Sequence, residues 1–270
     1  QLGLFVWQEF PLTSSGVDNI PPDDPKSISE MCEIAKSFIR RRQHHASLLL
    51  WSGGNELIDL DGKPIGVEHP MLEALQNVVK EYDPGRRYIP ASPSGPIAVV
   101  NEQYFGKGSH WDVHGPWQAP GTLEAWKQLW EKADALFYSE IGSPGASPLD
   151  IIRDYAGELE PLPVDAMNPF WKRPVAWWIE PERFKEDMQR EPESLEEYVA
   201  WSQKRQAEAL RIAVQASKDR FPKCGGTILW CGHDCFPCPA NTSIIDFDGN
   251  PKPAALALEK VYKQRPKSQF

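Results

Sequence analysis

The sequence predicts an α/β fold with parallel strands. Three observations lead there. Short apolar strands alternate with longer amphipathic helical stretches along the chain. The polar residues with chemical potential fall at the C-terminal ends of those strands: Gln8 and Glu9, Asn55 and Glu56, His114, Glu140, Asp234. No Gly-x-Gly-x-x-Gly follows any strand, which counts against a dinucleotide site. About six strand–helix units make either an open doubly wound sheet or part of a (β/α) barrel. In the barrel, strand ends of this kind form the active site.

The elements follow in order. Leu2 to Trp7 (LGLFVW) has the composition of a buried strand. Ser29 to His45 is a helix, with Met31, Ile34, Phe38 and Ile39 on one face. Leu48 to Trp51 is the next strand. Pro70 suits a first helical position, and Leu72, Leu75, Val78 and Val79 form the apolar face of a helix reaching Tyr82. Short strands follow at Arg87 to Ala91 and Trp111 to Gly115, then a helix at Leu123 to Ala133. Leu136 to Ser139 (LFYS) is a strand running into Glu140. A long helix covers Leu195 to Arg220, a strand Thr227 to Trp230 (TILW), and a closing helix Lys252 to Tyr262. Between them, Gly157 to Glu193 is too long and Pro-rich for a plain connection. Its NPFWKRPVAWW cluster predicts a lid or site wall within residues 157–193.

The chain has 270 residues, 41% apolar and 25% charged, ordinary values for a globular protein. A net charge of -9 and the lack of a basic stripe argue against nucleic acid and anionic membranes as partners. No apolar run approaches the roughly 18 to 20 residues that span a bilayer. Five cysteines fit no even disulfide framework and leave the redox compartment open. Eleven tryptophans are many for this length, and aromatic rings line sugar sites as well as cores.

Glu56 and Glu140 share a local pattern: an apolar strand, a small or polar residue, then Glu, with Gly close by. Two carboxylates at the ends of different barrel strands suit glycoside hydrolysis, one as acid/base and one as nucleophile. The plainer alternative is a pair of solvated loop carboxylates in ion pairs. The nucleophile of such a pair must stay ionised, which asks for hydrogen bonds and nearby positive charge. The acid must hold its proton, which asks for a raised pKa. Gly53 and Gly54 allow a sharp backbone turn at the strand end.

Six motifs in order then resemble the catalytic domain of glycoside hydrolase family 2, nearest its β-mannosidase and exo-β-glucosaminidase branch. LGLFVWQEF resembles the family's third-strand signature, HHASLLLWSGGNE the fourth and DPGRRYIPASPSG the fifth. WDVHGPW resembles the sixth strand, LFYSEIG the seventh, and GGTILWCGHDCFP with SIIDFDGNPKPAALALEKVYK the eighth strand and final helix. The resemblance implies a (β/α)8 TIM barrel, with residues 1–270 a partial catalytic domain covering roughly strands 3 to 8 and the first two βα units absent. It implies a retaining exo-acting β-glycosidase with no cofactor, and an oligosaccharide or glycoside as partner, β-mannosides favoured. It makes Glu56 the acid/base and Glu140 the nucleophile. Asn55 is expected to bond the sugar 2-hydroxyl, Trp230 to floor the sugar, and His114 and Asp234 to bind substrate. His114 as a structural histidine at a strand end is an equal alternative. The missing N-terminal part of the same polypeptide is expected as a partner, and a periplasmic, secreted or lysosomal-type compartment is implied.

The sequence also departs from the family. The fourth-strand motif often reads Asn-Asn-Glu, and here it is Gly54-Asn55-Glu56. The eighth-strand turn usually reads Asn-Asp-x-Trp-Pro, and here it is His233-Asp234-Cys235-Phe236-Pro237. Both changes bear on the choice of sugar, which leaves β-galactoside, β-glucuronide and β-glucosaminide specificities open beside a non-catalytic sugar-binding relative. The run CGHDCFPC offers zinc-type ligands at Cys231, His233, Cys235 and Cys238, but without paired Cys-x-x-Cys knuckles. Packed thiols or a local disulfide fit that spacing better, so no metal is expected.

Overall fold

The computed structural model describes residues 4–13, 19–172 and 176–264. The chain divides into two compact units, the first ending at His114 and the second beginning at Gly115.

The first unit is a three-stranded parallel sheet with two helices. Strand β1 (Val6–Glu9) pairs with β2 (Leu48–Ser52), and β2 pairs with β3 (Arg87–Ile89). Helix α1 (Pro25–Arg42) connects the first pair and α2 (Pro70–Tyr82) the second, as parallel strands require. Helix α1 begins earlier than its apolar periodicity indicates. Asp24 accepts from the amides of Lys26 and Ser27 at 3.1 and 3.0 Å, and Pro25 follows as the first helical residue. The helix's first three residues, Pro25, Lys26 and Ser27, carry no apolar period, although Ile28 after them packs on the core. The helix ends at Arg42 rather than His45, and Ile34, expected in the core, is 39% exposed. Ala35 and Ile39 supply the buried face instead. Helix α2 matches its expected bounds, with His69 Nδ1 capping the Met71 amide at 3.3 Å.

The core of this unit sits between sheet and helices. Phe10 stacks on Trp51 with ring centroids 5.4 Å apart, and Leu72, Leu75 and Val79 close over them. Trp51 satisfies its indole N–H on Asp83 Oδ2 at 2.9 Å, and Arg86 Nε bonds the same oxygen at 2.9 Å. Part of the DPGRR stretch thus locks β2 to the loop before β3. Strand β1 lies later than expected, running into Gln8 and Glu9; Leu2 and Gly3 fall outside the described residues. Strand β4 (Asp112–His114) ends the unit.

In the second unit, β5 (Phe137–Ile141) and β7 (Thr227–Leu229) are parallel neighbours. Helix α3 (Leu123–Lys132) precedes β5. Strand β5 runs two residues beyond the expected LFYS, so Glu140 lies within the strand instead of after it. Helix α6 (Leu195–Asp219) packs on α3 and on α7 (Pro253–Lys263). Three features were not legible in the sequence pattern. Helix α4 (Leu149–Ala156) and α5 (Pro181–Met188) are one or two turns long, too short for a periodic signal. The antiparallel pair β6 (Gly145–Ala146) and β8 (Ala240–Asn241) has two residues per strand.

The 157–193 segment is mostly exposed but anchored by a few buried side chains. Val164, Phe170, Trp171, Ile179 and Phe184 are buried in one cluster with Tyr198 of α6. Its Trp178 is half-buried and faces Trp230, while Arg173, Pro174 and Val175 lie outside the described residues. No described helix is long and apolar enough to cross a membrane.

Candidate active site

The setting of Glu56 is built by three neighbouring chain segments. After β2 the backbone continues through Gly53 and Gly54 to Asn55, which bridges in parallel to both Thr13 and Ser92. The Asn55 amide donates to Leu12 O at 2.8 Å, and the Glu56 amide donates to Ser92 O at 2.6 Å. The two glycines serve close approach, not a sharp turn. A Cβ on Gly53 would stand 2.1 Å from Pro90 O, and one on Gly54 would stand 2.2 Å from Leu12 O. Only a bare backbone lets the flanking strands come this near. Glu56 itself has φ +51°, a left-handed conformation that costs a non-glycine residue energy and is found most often at functional positions.

The Glu56 carboxylate is held by His114. Nδ1 of the imidazole lies 2.9 Å from Glu56 Oε1, and Nε2 lies 3.0 Å from Ser92 Oγ. The ring is buried, with 1% of its side chain exposed, whereas Glu56 keeps 24%. With Nδ1 protonated, the ring donates to Glu56 and accepts from the Ser92 hydroxyl. Both ring nitrogens are thereby engaged within the protein, and His114 orients Glu56. Asn55 is half-buried, and its side-chain amide has no protein hydrogen-bond partner among the described residues.

The setting of Glu140 is made within the second unit. The Gly115 amide donates to Glu140 O at 2.7 Å, which ties the residues before Trp117 to β5. The Trp117 indole N–H donates to Glu140 Oε1. Glu140 is 8% exposed, so this bond forms where water competes weakly. One residue on, Ile141 O accepts from the Trp230 amide at 2.8 Å, which places Trp230 beside the strand that carries Glu140. The Trp230 ring is half-buried and packs on Trp178 at 5.2 Å between centroids, tilted by 54°.

Behind Trp230 the chain folds back on itself. Thr242 Oγ1 donates to Trp230 O at 3.0 Å, and the amides of Ile244 and Ile245 both donate to Gly232 O. Asp234 is only 2% exposed and accepts from Asn241 Nδ2 at 2.9 Å. It therefore lies in the wall of this loop, where it ties the turn after β7 to β8. Lys252 is buried near Asp234 and Asp246 and donates to Gly145 O at 3.0 Å. Burial pulls its ammonium down to about 8 against the pull of both aspartates.

All five cysteines are free thiols, so of the two arrangements expected for CGHDCFPC the thiols are found and the local disulfide is not. Cys238 is buried and donates to Ala240 O at 2.9 Å, with its thiol pushed up to about 12 chiefly by burial. Cys231 is half-buried with φ +53°, and Cys235 is exposed. Three residues of these settings were not singled out in the sequence: Ser92, Trp117 and Trp178. Ser92 and Trp117 lie inside recognised motif stretches, but hydrogen-bond partnership leaves no periodic trace. Trp178 belongs to the aromatic cluster and could be placed only once Trp230 had a position.

Residues 1–134 match the family described as glycosyl hydrolases family 2, TIM barrel domain. "Beta-mannosidase B" of Aspergillus fumigatus is 26% identical over 285 aligned positions, covering 97% of this chain and 32% of the relative. "Beta-mannosidase B" of Emericella nidulans is 25% identical over 290 positions with the same coverage. The chain thus spans about a third of the length of the curated relatives it matches. Among solved structures, a β-D-mannosidase from Dictyoglomus thermophilum superimposes with a TM-score of 0.70 at 22% identity, over 96% of this chain and 31% of that one. An Amycolatopsis orientalis exo-chitosanase, solved with PNP-β-D-glucosamine, gives 0.65 at 14% identity over the same shares. Both likenesses establish the fold. The family's barrel domain is matched over residues 1–134, and relatives about a quarter identical align along nearly the whole chain, so the likeness to glycoside hydrolase family 2 holds in sequence and in fold.

Proposed function

We propose that this chain carries the catalytic carboxylates of a retaining, exo-acting β-glycosidase that prefers β-mannosides. One observation carries the reading: each glutamate marked by the family pattern is fixed by a ring nitrogen, Glu56 by His114 and Glu140 by Trp117. Carboxylates serving only as solvated surface charge need no such orientation. The β-mannosidase relatives support the choice of sugar.

In the first step Glu140 attacks the anomeric carbon and forms a glycosyl ester as the C–O bond to the leaving group breaks. Glu56 gives its proton to the departing oxygen. In the second step Glu56, now ionised, takes a proton from water, whose oxygen displaces Glu140 from the anomeric carbon. One tautomer of His114 serves both steps. Its Nδ1–H donates to Oε1 whether or not the other Glu56 oxygen is protonated. The Trp117 N–H stabilises Glu140 as a leaving carboxylate in the second step and fixes its plane in the first. Asn55 offers its amide to the sugar 2-hydroxyl. Asp234 acts through the loop that it braces beneath Trp230.

The finer fold reading is also a proposal: the chain covers roughly strands 3 to 8 of an eight-stranded barrel. Leu4 and Phe5, just before β1, are 67% and 76% exposed, as apolar residues awaiting a covering element would be. The whole protein is expected to hydrolyse 4-nitrophenyl β-mannoside in preference to the β-galactoside, β-glucuronide and β-glucosaminide. Preference for one of the others would move the specificity, and no hydrolysis of any would remove the enzymatic reading. Trp230→Ala should lower kcat/KM for the preferred glycoside by on the order of 1 to 3 kcal/mol if the ring floors the sugar. Loss of melting temperature with kcat/KM unchanged would make Trp230 a core residue.

A further inference from the structure

Helix α6 buries a guanidinium with unusual demands on its surroundings. Arg205 is 3% exposed. Its Nε lies 3.2 Å from each carboxylate oxygen of Glu180, itself buried. One terminal nitrogen donates to Ala119 O at 2.9 Å and to Gly121 O at 2.8 Å. Glu180 takes a further side-chain hydrogen bond from Gln118, and its backbone amide donates to the Tyr198 hydroxyl of α6 at 3.1 Å. Nε and one terminal nitrogen of the guanidinium are thus engaged, and Glu180 has two side-chain donors. A pair of apolar residues of similar volume would stabilise such a place as well or better, so stability alone does not account for it.

The segments it holds suggest the reason. Ala119 and Gly121 follow Trp117, which donates to Glu140. Glu180 follows Trp178, which packs on Trp230. One planar fork therefore pins two separate loops to one helix, each two residues from a tryptophan of the candidate site. The next residue, Gln206, adds a third tie: its Nε2 donates to Ser143 O and Ser243 O, both at 3.0 Å, bracing the exit of β5 and the loop behind Trp230. A lysine at 205 could keep the charge but could not reach Glu180 and both carbonyls at once.

We propose that Arg205, paired with Glu180, is a positioning residue that sets Trp117 and Trp178 and through them the orientation of Glu140 and the Trp230 platform. The proposal rests on the glycosidase reading of Glu140. It predicts that Arg205→Lys in the whole protein lowers kcat on an aryl β-mannoside about 10- to 100-fold, the scale of loss from a small misplacement of a catalytic group. The paired change Arg205→Met with Glu180→Met removes both charges, leaves none stranded, and should slow turnover to the same degree in a folded protein. A cycle with Trp117→Phe separates positioning from stability. Once the indole N–H no longer holds Glu140, Arg205→Lys should cost at least about threefold less than in the parent, the remainder acting through Trp178 and Trp230. The clamp is overturned if Glu140→Ala is inactive while both Arg205 variants keep kcat within twofold of the parent. It is overturned equally if the loss is undiminished in the Trp117→Phe background, since a general loosening multiplies independently. Full turnover by Glu140→Ala would instead overturn the glycosidase reading on which the clamp depends.

Discussion

Glu140→Ala is expected to reduce turnover of aryl β-mannosides by the whole protein by about four orders of magnitude or more. Alanine removes the group that forms the glycosyl ester, and what remains is general-acid assistance and binding. The change also leaves a space the size of a carboxylate opposite the leaving group. Azide fits that space, so added azide should restore turnover and yield the α-glycosyl azide, inverted relative to the substrate. The Trp117 indole, which normally donates to Glu140 Oε1, loses that acceptor. The measurement is initial rate against azide concentration, with the anomer of the glycosyl azide assigned by NMR. A variant that kept its rate, or gave a β-azide, would assign Glu140 another role.

Glu56→Ala should show a different signature. With a good leaving group, such as dinitrophenolate, the first step needs no proton and stays close to the parent rate. With a poor one, such as an alkyl alcohol, kcat/KM should fall by about 10² to 10⁴-fold, the usual contribution of a placed general acid. The second step loses its base with every substrate, so the glycosyl ester accumulates and KM falls with kcat. Here azide should speed the second step and yield the β-azide, with retention. His114→Ala should show a weaker form of the same dependence on leaving group, because the ring that orients Glu56 through Nδ1 is gone. Equal losses across all leaving groups would contradict the role of Glu56.

Much of this was legible in the sequence where period and motif agree. Helix α2 was placed at its observed bounds because Pro70 opens it and its apolar face repeats cleanly. Strand-end pattern and then motif single out Glu56 and Glu140 as candidates. What escaped was short or relational. A two-residue strand such as β6 has no period, and the start of α1 depends on the side chain of Asp24 rather than on apolar spacing. The glycines before Glu56 were read as a turn, yet their reason is the approach of Pro90 and Leu12 carbonyls from neighbouring strands. Asp234, which the family resemblance marks for substrate binding, is buried and accepts a hydrogen bond from Asn241, a partnership with no trace in the local pattern. The grip of Arg205 on Glu180, Ala119 and Gly121 joins residues 25 to 86 positions apart, beyond the reach of any local pattern.

In the proposed mechanism Glu56 and Glu140 act in a double displacement on one glycosidic bond. The most direct test is the stereochemistry of the first-formed sugar. Proton NMR of the anomeric region, recorded within the first minutes of hydrolysis of an activated β-mannoside by the whole protein, reads it before mutarotation. Double displacement releases β-mannose first, with the α anomer growing in later. The α anomer first would mean a single displacement by water, and would contradict Glu140 as a nucleophile.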